Sequence, residues 1–283
     1  MAAPRTPLPM GTHAALEYAR KHALEAVLVE TAGEIGLQEY GEGYSATAAH
    51  PLFSGTKSFW GPAAVCAQAD GLLALDEPVA HTFAAWADDP WKRRVTVRML
   101  LSLCAGFAFG GLGSAVPTYE RALAMTLKNE PGSAFTYGGV PLQVFGAVFA
   151  RKLEARALTP QQYLQERVLD PASVRIAKWR TLQDGTQPLP TGAFLTARDW
   201  LAYGRYMLRE RERFAQCFEP SPCNARYGLG WWLAPAGAPH DTFYASGSGG
   251  QALYVIPSLD LVAVHFGKSA SYKHDAFLKR LTA

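Results

Sequence analysis

Ser54 and Lys57 stand three residues apart in the stretch Pro51-Leu52-Phe53-Ser54-Gly55-Thr56-Lys57-Ser58-Phe59. On a helix, positions i and i+3 share a face, so the lysine amine can reach the serine oxygen. A lysine held away from water gives up its proton more readily. Such an amine can take the serine proton and leave an oxygen nucleophile that forms a covalent acyl intermediate. The pattern is short, and ordinary composition supplies it about once in a chain of this length. Its weight depends on partners elsewhere.

Two segments offer partners. Pro131-Gly132-Ser133-Ala134-Phe135-Thr136-Tyr137-Gly138-Gly139 holds a tyrosine before two glycines. A phenol near a lysine ammonium gains phenolate character and can relay protons. The plainer alternative is a half-buried turn tyrosine. Ala245-Ser246-Gly247-Ser248-Gly249-Gly250-Gln251 then enters an apolar run. Glycines opening a strand let a ligand or another backbone approach. Acyl transfer needs backbone N–H groups aimed at a developing oxyanion. A flexible hairpin loop is the alternative there.

Other chemistries are missing. No serine sits in a Gly-x-Ser-x-Gly elbow, since Ser248 has Ser246 two positions before it. No phosphate loop ends in Gly-Lys-Ser/Thr. The seven histidines include no His-x-x-x-His pair, so no zinc site is expected. His50 lies near Ser54 in sequence and could serve as a base, but a lone histidine without a paired carboxylate fits a core or loop role better.

The chain has 283 residues, 49% of them hydrophobic, and a formal charge of +3. That allows a sizeable core and argues against disorder. Lys92-Arg93-Arg94 is the densest basic run and reads as a solvated face; no nucleic-acid footprint appears. Residues 99–116 are uncharged, but Gly106, Gly110, Gly111 and Gly113 favour a buried helix running into a loop over a membrane span. Met1 to Pro7 lacks the apolar core of a signal peptide, which favours a cytoplasmic setting; a removed leader would place the chain in the periplasm or outside. Cys66 and Cys104 read as core, while Cys217 and Cys223 could bridge in an oxidising compartment.

The patterning predicts a helix over 13–24, a hairpin of strands over 26–31 and 34–40, and then a mostly helical middle. Helices are expected from Ser58, over 98–103, 119–127, 141–153 and 160–168. Thr196 caps a helix running to Leu208, with Asp199 at a capping-box position. Strands are expected over 229–234, 242–245, 251–256 and 261–266, and a final helix over 272–281. The expected class is α+β: an antiparallel sheet flanked by N- and C-terminal helices, with an inserted, mostly helical domain. Residues 1–60 and 175–283 would form the sheet domain and 61–174 the helical one, with the active site between them.

The three segments, in this order, resemble the penicillin-recognising serine hydrolases, and most of all their class C β-lactamase-like branch. That branch includes family VIII carboxylesterases, D-Ala-D-Ala peptidases and 6-aminohexanoate-dimer hydrolase. Leu72-Leu73-Ala74-Leu75-Asp76-Glu77-Pro78-Val79, Val95-Thr96-Val97-Arg98-Met99-Leu100-Leu101-Ser102 and Tyr227-Gly228-Leu229-Gly230-Trp231-Trp232 are similar to its other conserved stretches. The resemblance implies a β-lactamase/transpeptidase-like fold. It implies Ser54 as the acylated nucleophile, Lys57 as its base and Tyr137 as the proton shuttle. The backbone N–H groups of Ser54 and Gln251 would form the oxyanion hole. Ser248, Gly249, Gly250, Gly139 and Trp231 would contact substrate, and Trp60, Trp232 and Tyr244 could join them. No metal or organic cofactor is implied.

The chain departs from the branch at its substrate grip. Gly139 stands where the family has an asparagine, and Ser248-Gly249-Gly250 stands for its Lys/His-Thr-Gly triplet. No cation is left there for a substrate carboxylate. The expectation is therefore a serine hydrolase of small carboxylic esters or amides. A β-lactamase or D-Ala-D-Ala carboxypeptidase, and a non-catalytic ligand-binding relative, are the alternatives. The expected partner is a small-molecule substrate, and the oligomeric state stays open.

Overall fold

The structure, a computed structural model, describes residues 10–283; the reading of Met1 to Pro7 lies outside them. Helix α1 (Thr12–Arg20) leads into strands β1 (Leu24–Thr31) and β2 (Glu34–Tyr40). A short β3 (Ala49–Pro51) precedes a 3-10 helix, Phe53–Phe59. Then come α2 (Trp60–Ala69), α3 (Val97–Leu101), α4 (Tyr119–Ala124), α5 (Val140–Leu153) and α6 (Pro160–Leu164). Strands β4 (Lys178–Trp179) and β5 (Ala193–Thr196) lead to α7 (Ala197–Arg209). The chain closes with β6 (Trp232–Leu233), β7 (Phe243–Gly247), β8 (Gln251–Ile256), β9 (Leu261–Gly267) and α8 (His274–Leu281).

Six strands form one antiparallel sheet in the order β2-β1-β9-β8-β7-β6. Every residue of β8 and β9 is buried, which is why both read as unbroken apolar runs, not as an alternation. One face of the sheet carries α1 and α8, against Val27, Val29, Tyr254 and Ala263. The other carries α7 and the main core. Helix α7 buries Trp200, Tyr203, Gly204 and Met207 and turns Arg198, Arg205 and Arg209 outward, as its period predicts. Gly204 lets it close on the sheet, for a Cβ there would lie 2.6 Å from Leu253 and Val262. Thr196 caps it by accepting the Asp199 N–H at 3.1 Å.

In a second, three-stranded sheet, β3-β5-β4, the central β5 falls where the sequence reads loop and short strand over 191–195, whereas β3 and β4 are too short to show a period. The predicted strand over 229–234 shrinks to β6. Gly230 takes a left-handed φ of +83°, and a Cβ there would lie 2.3 Å from the Lys57 carbonyl oxygen, so the chain leaves the sheet to pack on the 3-10 helix. The helix expected over 160–168 changes at Gln165 into a π-turn, Gln165–Leu169. All four thiols are free: Cys217 is buried beneath Gly61 and Gly228, and Cys223 donates to the Gly132 carbonyl at 3.1 Å. Among the described residues no helix is long and apolar enough to cross a membrane. No cluster of His, Cys, Asp or Glu there is placed to hold a metal ion.

His265 and His274 sit between the sheet and α8, and burial pushes both imidazoles down to about 4. His274 bridges Ser246 Oγ (2.8 Å) and Tyr254 Oη (2.7 Å), and His265 Nδ1 lies 2.6 Å from the Gly250 carbonyl oxygen. The unfolded chain binds protons at both histidines near pH 6.5, whereas the folded chain resists them down to about 4. Their contribution to stability is complete above 6.5 and shrinks as pH falls through that window. The melting temperature is expected to drop between pH 6.5 and 4, and the His265→Gln/His274→Gln double variant should flatten that slope. An unchanged slope in the double variant would contradict the assignment.

Candidate active site

Ser54 and Lys57 lie on the 3-10 helix Phe53–Phe59, not on an α-helix. With three residues per turn, i and i+3 are eclipsed, so the lysine stands directly over the serine. Lys57 Nζ lies 3.0 Å from Ser54 Oγ and donates to the Pro190 carbonyl oxygen at 3.2 Å. The turn is pinned from several sides. Thr56 Oγ1 donates to the Phe53 carbonyl at 2.7 Å, Ser58 Oγ to Gly55 at 2.8 Å, and Tyr203 Oη to Ser58 at 2.9 Å. Phe53, next to the serine, takes a positive φ of 45°, a conformation that costs a non-glycine residue about 1–3 kcal/mol and is held only where its surroundings fix it.

Lys57 is only 1% exposed. Burial, unopposed by any carboxylate, pulls its amine down from the usual lysine range to about 7. Tyr137 brings its ring to 4.8 Å from Lys57 Nζ, and its hydroxyl lies near enough to the Ser54 side chain for the two to interact. Burial raises the Tyr137 phenol, with the Ser54 interaction opposing in part. The sequence reading gave this tyrosine phenolate character; its burial instead keeps it protonated at neutral pH. The amine is the group that titrates near neutrality, and the phenol is a proton donor.

Strand β7 forms the opposite wall. A Cβ on Gly247 would lie 2.1 Å from the Leu52 carbonyl oxygen, so glycine is needed where this strand meets the serine turn. The direction of its backbone groups follows from one bond: Ala234 N–H donates to the Thr242 carbonyl at 2.8 Å, toward β6. With the two-residue period of a strand, Tyr244 and Ser246 point the same way, while Gly247 points to β8. Gly247 pairs there with Gln251. The Gln251 N–H is therefore spent in the sheet, which corrects its place in the expected oxyanion hole. Beyond Tyr244 the outer edge of β7 has no strand partner. The Ser246 N–H lies on that open edge, and Ser248 follows in the turn after Gly247. Gln251 supports the turn instead, its side-chain amide donating to Gly267 (2.6 Å) and Ser248 (3.1 Å) carbonyls.

Other expected contacts are redistributed. Ser248 is exposed at the strand end. Gly249 and Gly250 face Gly267 and Tyr272, so their lack of side chains serves hairpin packing. Trp231 is fully buried, stacked on Tyr203 at 5.9 Å, and Trp60 is fully buried with its indole N–H on Leu189. Neither touches the cleft; Trp231 was expected to, and its neighbour Trp232 takes that place, half-buried and 5.7 Å from the Tyr137 ring. Strand alternation separates the two tryptophans. His50 is buried on Glu25 at 2.7 Å, stacked under Phe266, and takes no part as a base. A groove of about 490 Å³ lined by Arg211, Phe218, Asp241 and Phe243 holds none of the reacting groups.

Gly139 has a physical cause that sequence reasoning missed. A Cβ there would lie 1.9 Å from the Gly111 carbonyl oxygen. The loop carrying Gly110 and Gly111 runs beside Tyr137-Gly138-Gly139 as a parallel bridge, with Gly139 N–H donating to Gly110 at 2.9 Å. Backbone fills the space where the family's side chain would start. The adjacent glycines in the uncharged run 99–116 were the available signal. Gly139→Asn is accordingly expected to destabilise the fold by about 2 kcal/mol or more, as overpacking does, read as a lower melting temperature. A stable Gly139→Asn protein that gained β-lactam turnover would refute this account.

The Beta-lactamase family profile matches residues 23–281. No curated protein sequence matches the chain. Solved structures share its fold at low identity. A putative 6-aminohexanoate-dimer hydrolase from Bacillus anthracis is 18% identical, with a TM-score of 0.74 over 92% of this chain and 77% of that one. A D-stereospecific amidohydrolase from Streptomyces sp. is 14% identical, with a TM-score of 0.74 over 96% and 97%. A penicillin binding protein from Bacillus halodurans is 18% identical, with a TM-score of 0.70 over 93% and 96%. With its antiparallel sheet between helical layers and a profile match over most of its length, the chain belongs to the Beta-lactamase family of hydrolases.

Proposed function

We propose that this chain is a serine hydrolase that cleaves small esters or amides through a covalent acyl-enzyme. The observation that carries the reading is Lys57: fully enclosed, without an acidic partner, near neutrality in its titration and 3.0 Å from Ser54 Oγ. In this reading Ser54 comes from a sheet domain (residues 1–60 and 175–283) and Tyr137 from a helical domain (61–174), and the cleft lies between.

The neutral Lys57 amine takes the Ser54 proton as Oγ attacks the substrate carbonyl. The N–H groups of Ser54 and of the open β7 edge receive the oxyanion, each worth about 3–4 kcal/mol in comparable sites. Tyr137 donates a proton to the leaving oxygen or nitrogen and is restored through Lys57. Water then repeats the sequence in reverse and releases the acid. The position of Gly247 against the serine turn suggests that the triplet register is Ala245-Ser246-Gly247, not Ser248-Gly249-Gly250. Neither register carries a cation, which supports an uncharged substrate over a β-lactam or a peptide carboxylate.

Intact-mass measurement after fluorophosphonate treatment is expected to show one adduct, absent in Ser54→Ala. Ester turnover by Ser54→Ala at the wild-type rate would sink the reading. Because only the unprotonated amine accepts a proton, the labelling rate should rise with pH through a midpoint near 7. Lys57→Ala should lose roughly a thousandfold or more and lose that pH dependence, as removal of an activating base does elsewhere.

A further inference from the structure

The half-buried aromatic rings at the cleft form an ordered series. Tyr137 and Trp232 lie 5.7 Å apart at 25°, and Trp232 and Tyr244 lie 6.4 Å apart at 25°. Trp232 and Tyr244 are a directly paired cross-strand couple on β6 and β7, so the sheet itself sets their spacing. The inner end is closed by the buried Tyr254, 5.8 Å from Tyr244 at 29°. Phe135 and Tyr227 meet Trp232 edge-on at 6.1 and 4.9 Å and fix its plane. Three near-parallel rings thus run in a series from the proposed proton donor through Trp232 to Tyr244, which packs against the α1/α8 cluster.

A purely structural stack would be expected to bury its rings, as Trp231 and Tyr254 are buried. Tyr137, Trp232 and Tyr244 instead keep part of their surface open. The charged and titratable groups near the series are Lys57, 4.8 Å from the Tyr137 ring, and Arg226 and Asp275, which act in opposite directions on the Tyr244 phenol. Partly open aromatic rings favour a flat apolar group, because stacking of aromatic rings contributes beyond area alone.

We infer that Tyr137, Trp232 and Tyr244 form a platform for an aryl ring, so that the substrate is an uncharged aryl or arylalkyl ester or amide. This rests on the acyl-enzyme reading of Ser54. Proton release would be followed with methyl phenylacetate and benzyl acetate against methyl hexanoate and hexyl acetate. The kcat/KM for at least one aryl member should exceed its alkyl counterpart by about tenfold, the scale of a good stacking contact. The ratio should fall toward one in Trp232→Leu, with the aryl KM rising more than kcat falls. Tyr244→Leu provides the same readout should Trp232→Leu fail to fold. Fluorophosphonate adducts on Ser54 in the same samples separate the two failures. An adduct with equal aryl and alkyl kcat/KM overturns the platform alone, whereas no adduct and no turnover overturns the serine reading with it.

Discussion

A lysine enclosed without a counter-charge is the constraint on which the rest of this structure depends. A carboxylate beside Lys57 would hold its proton and end its use as a base. Its neighbours are instead a backbone carbonyl, a serine oxygen and an aromatic face. The buried acids of the sheet are kept to their own partners: Glu25 binds His50, Tyr44 and Lys268, and Glu30 binds Arg205. Burial lowers the amine toward neutrality while leaving it 3.0 Å from the serine oxygen, as the proposed base would need.

Enclosing a turn that tightly requires backbones to come close. Gly230 lies against the Lys57 carbonyl, Gly247 against Leu52, and Gly55 against Trp200. Each is a place where a side chain would push a wall of the site outward. The same physics acts at Gly139, where the Gly111 backbone takes the room of a polar side chain. The loss of the family's asparagine is thus coupled to the path of a loop that precedes it by some thirty residues in the chain (roughly, from 110 to 139).

The aromatic content of the chain divides by the same logic. Adjacent tryptophans on a strand face opposite ways. Trp231 joins Tyr203 and Phe243 in the core, and Trp232 joins Tyr137 and Tyr244 at the cleft. Cross-strand pairing turns residues distant in sequence into one surface. No local pattern distinguishes the two roles.

The sequence by itself determined the family, the fold class and the pairing of Ser54 with Lys57. Ser54 and Lys57 are local in the chain, so a single turn of any helix brings them together. Strands β1, β8 and β9 declare themselves through apolar runs, α5 through a long apolar stretch with proline in its first turn, and α7 through period and cap. What only the tertiary structure decided depends on contacts between segments far apart. The register of β7 on β8 assigns the Gln251 N–H to the sheet and puts Ser248 in the turn that follows Gly247. The packing of Pro190, Tyr137 and the sheet around Lys57 sets how far its amine is desolvated. Pairing parity and desolvation are properties of neighbours in space, and neighbours in space are what a single stretch of sequence does not contain.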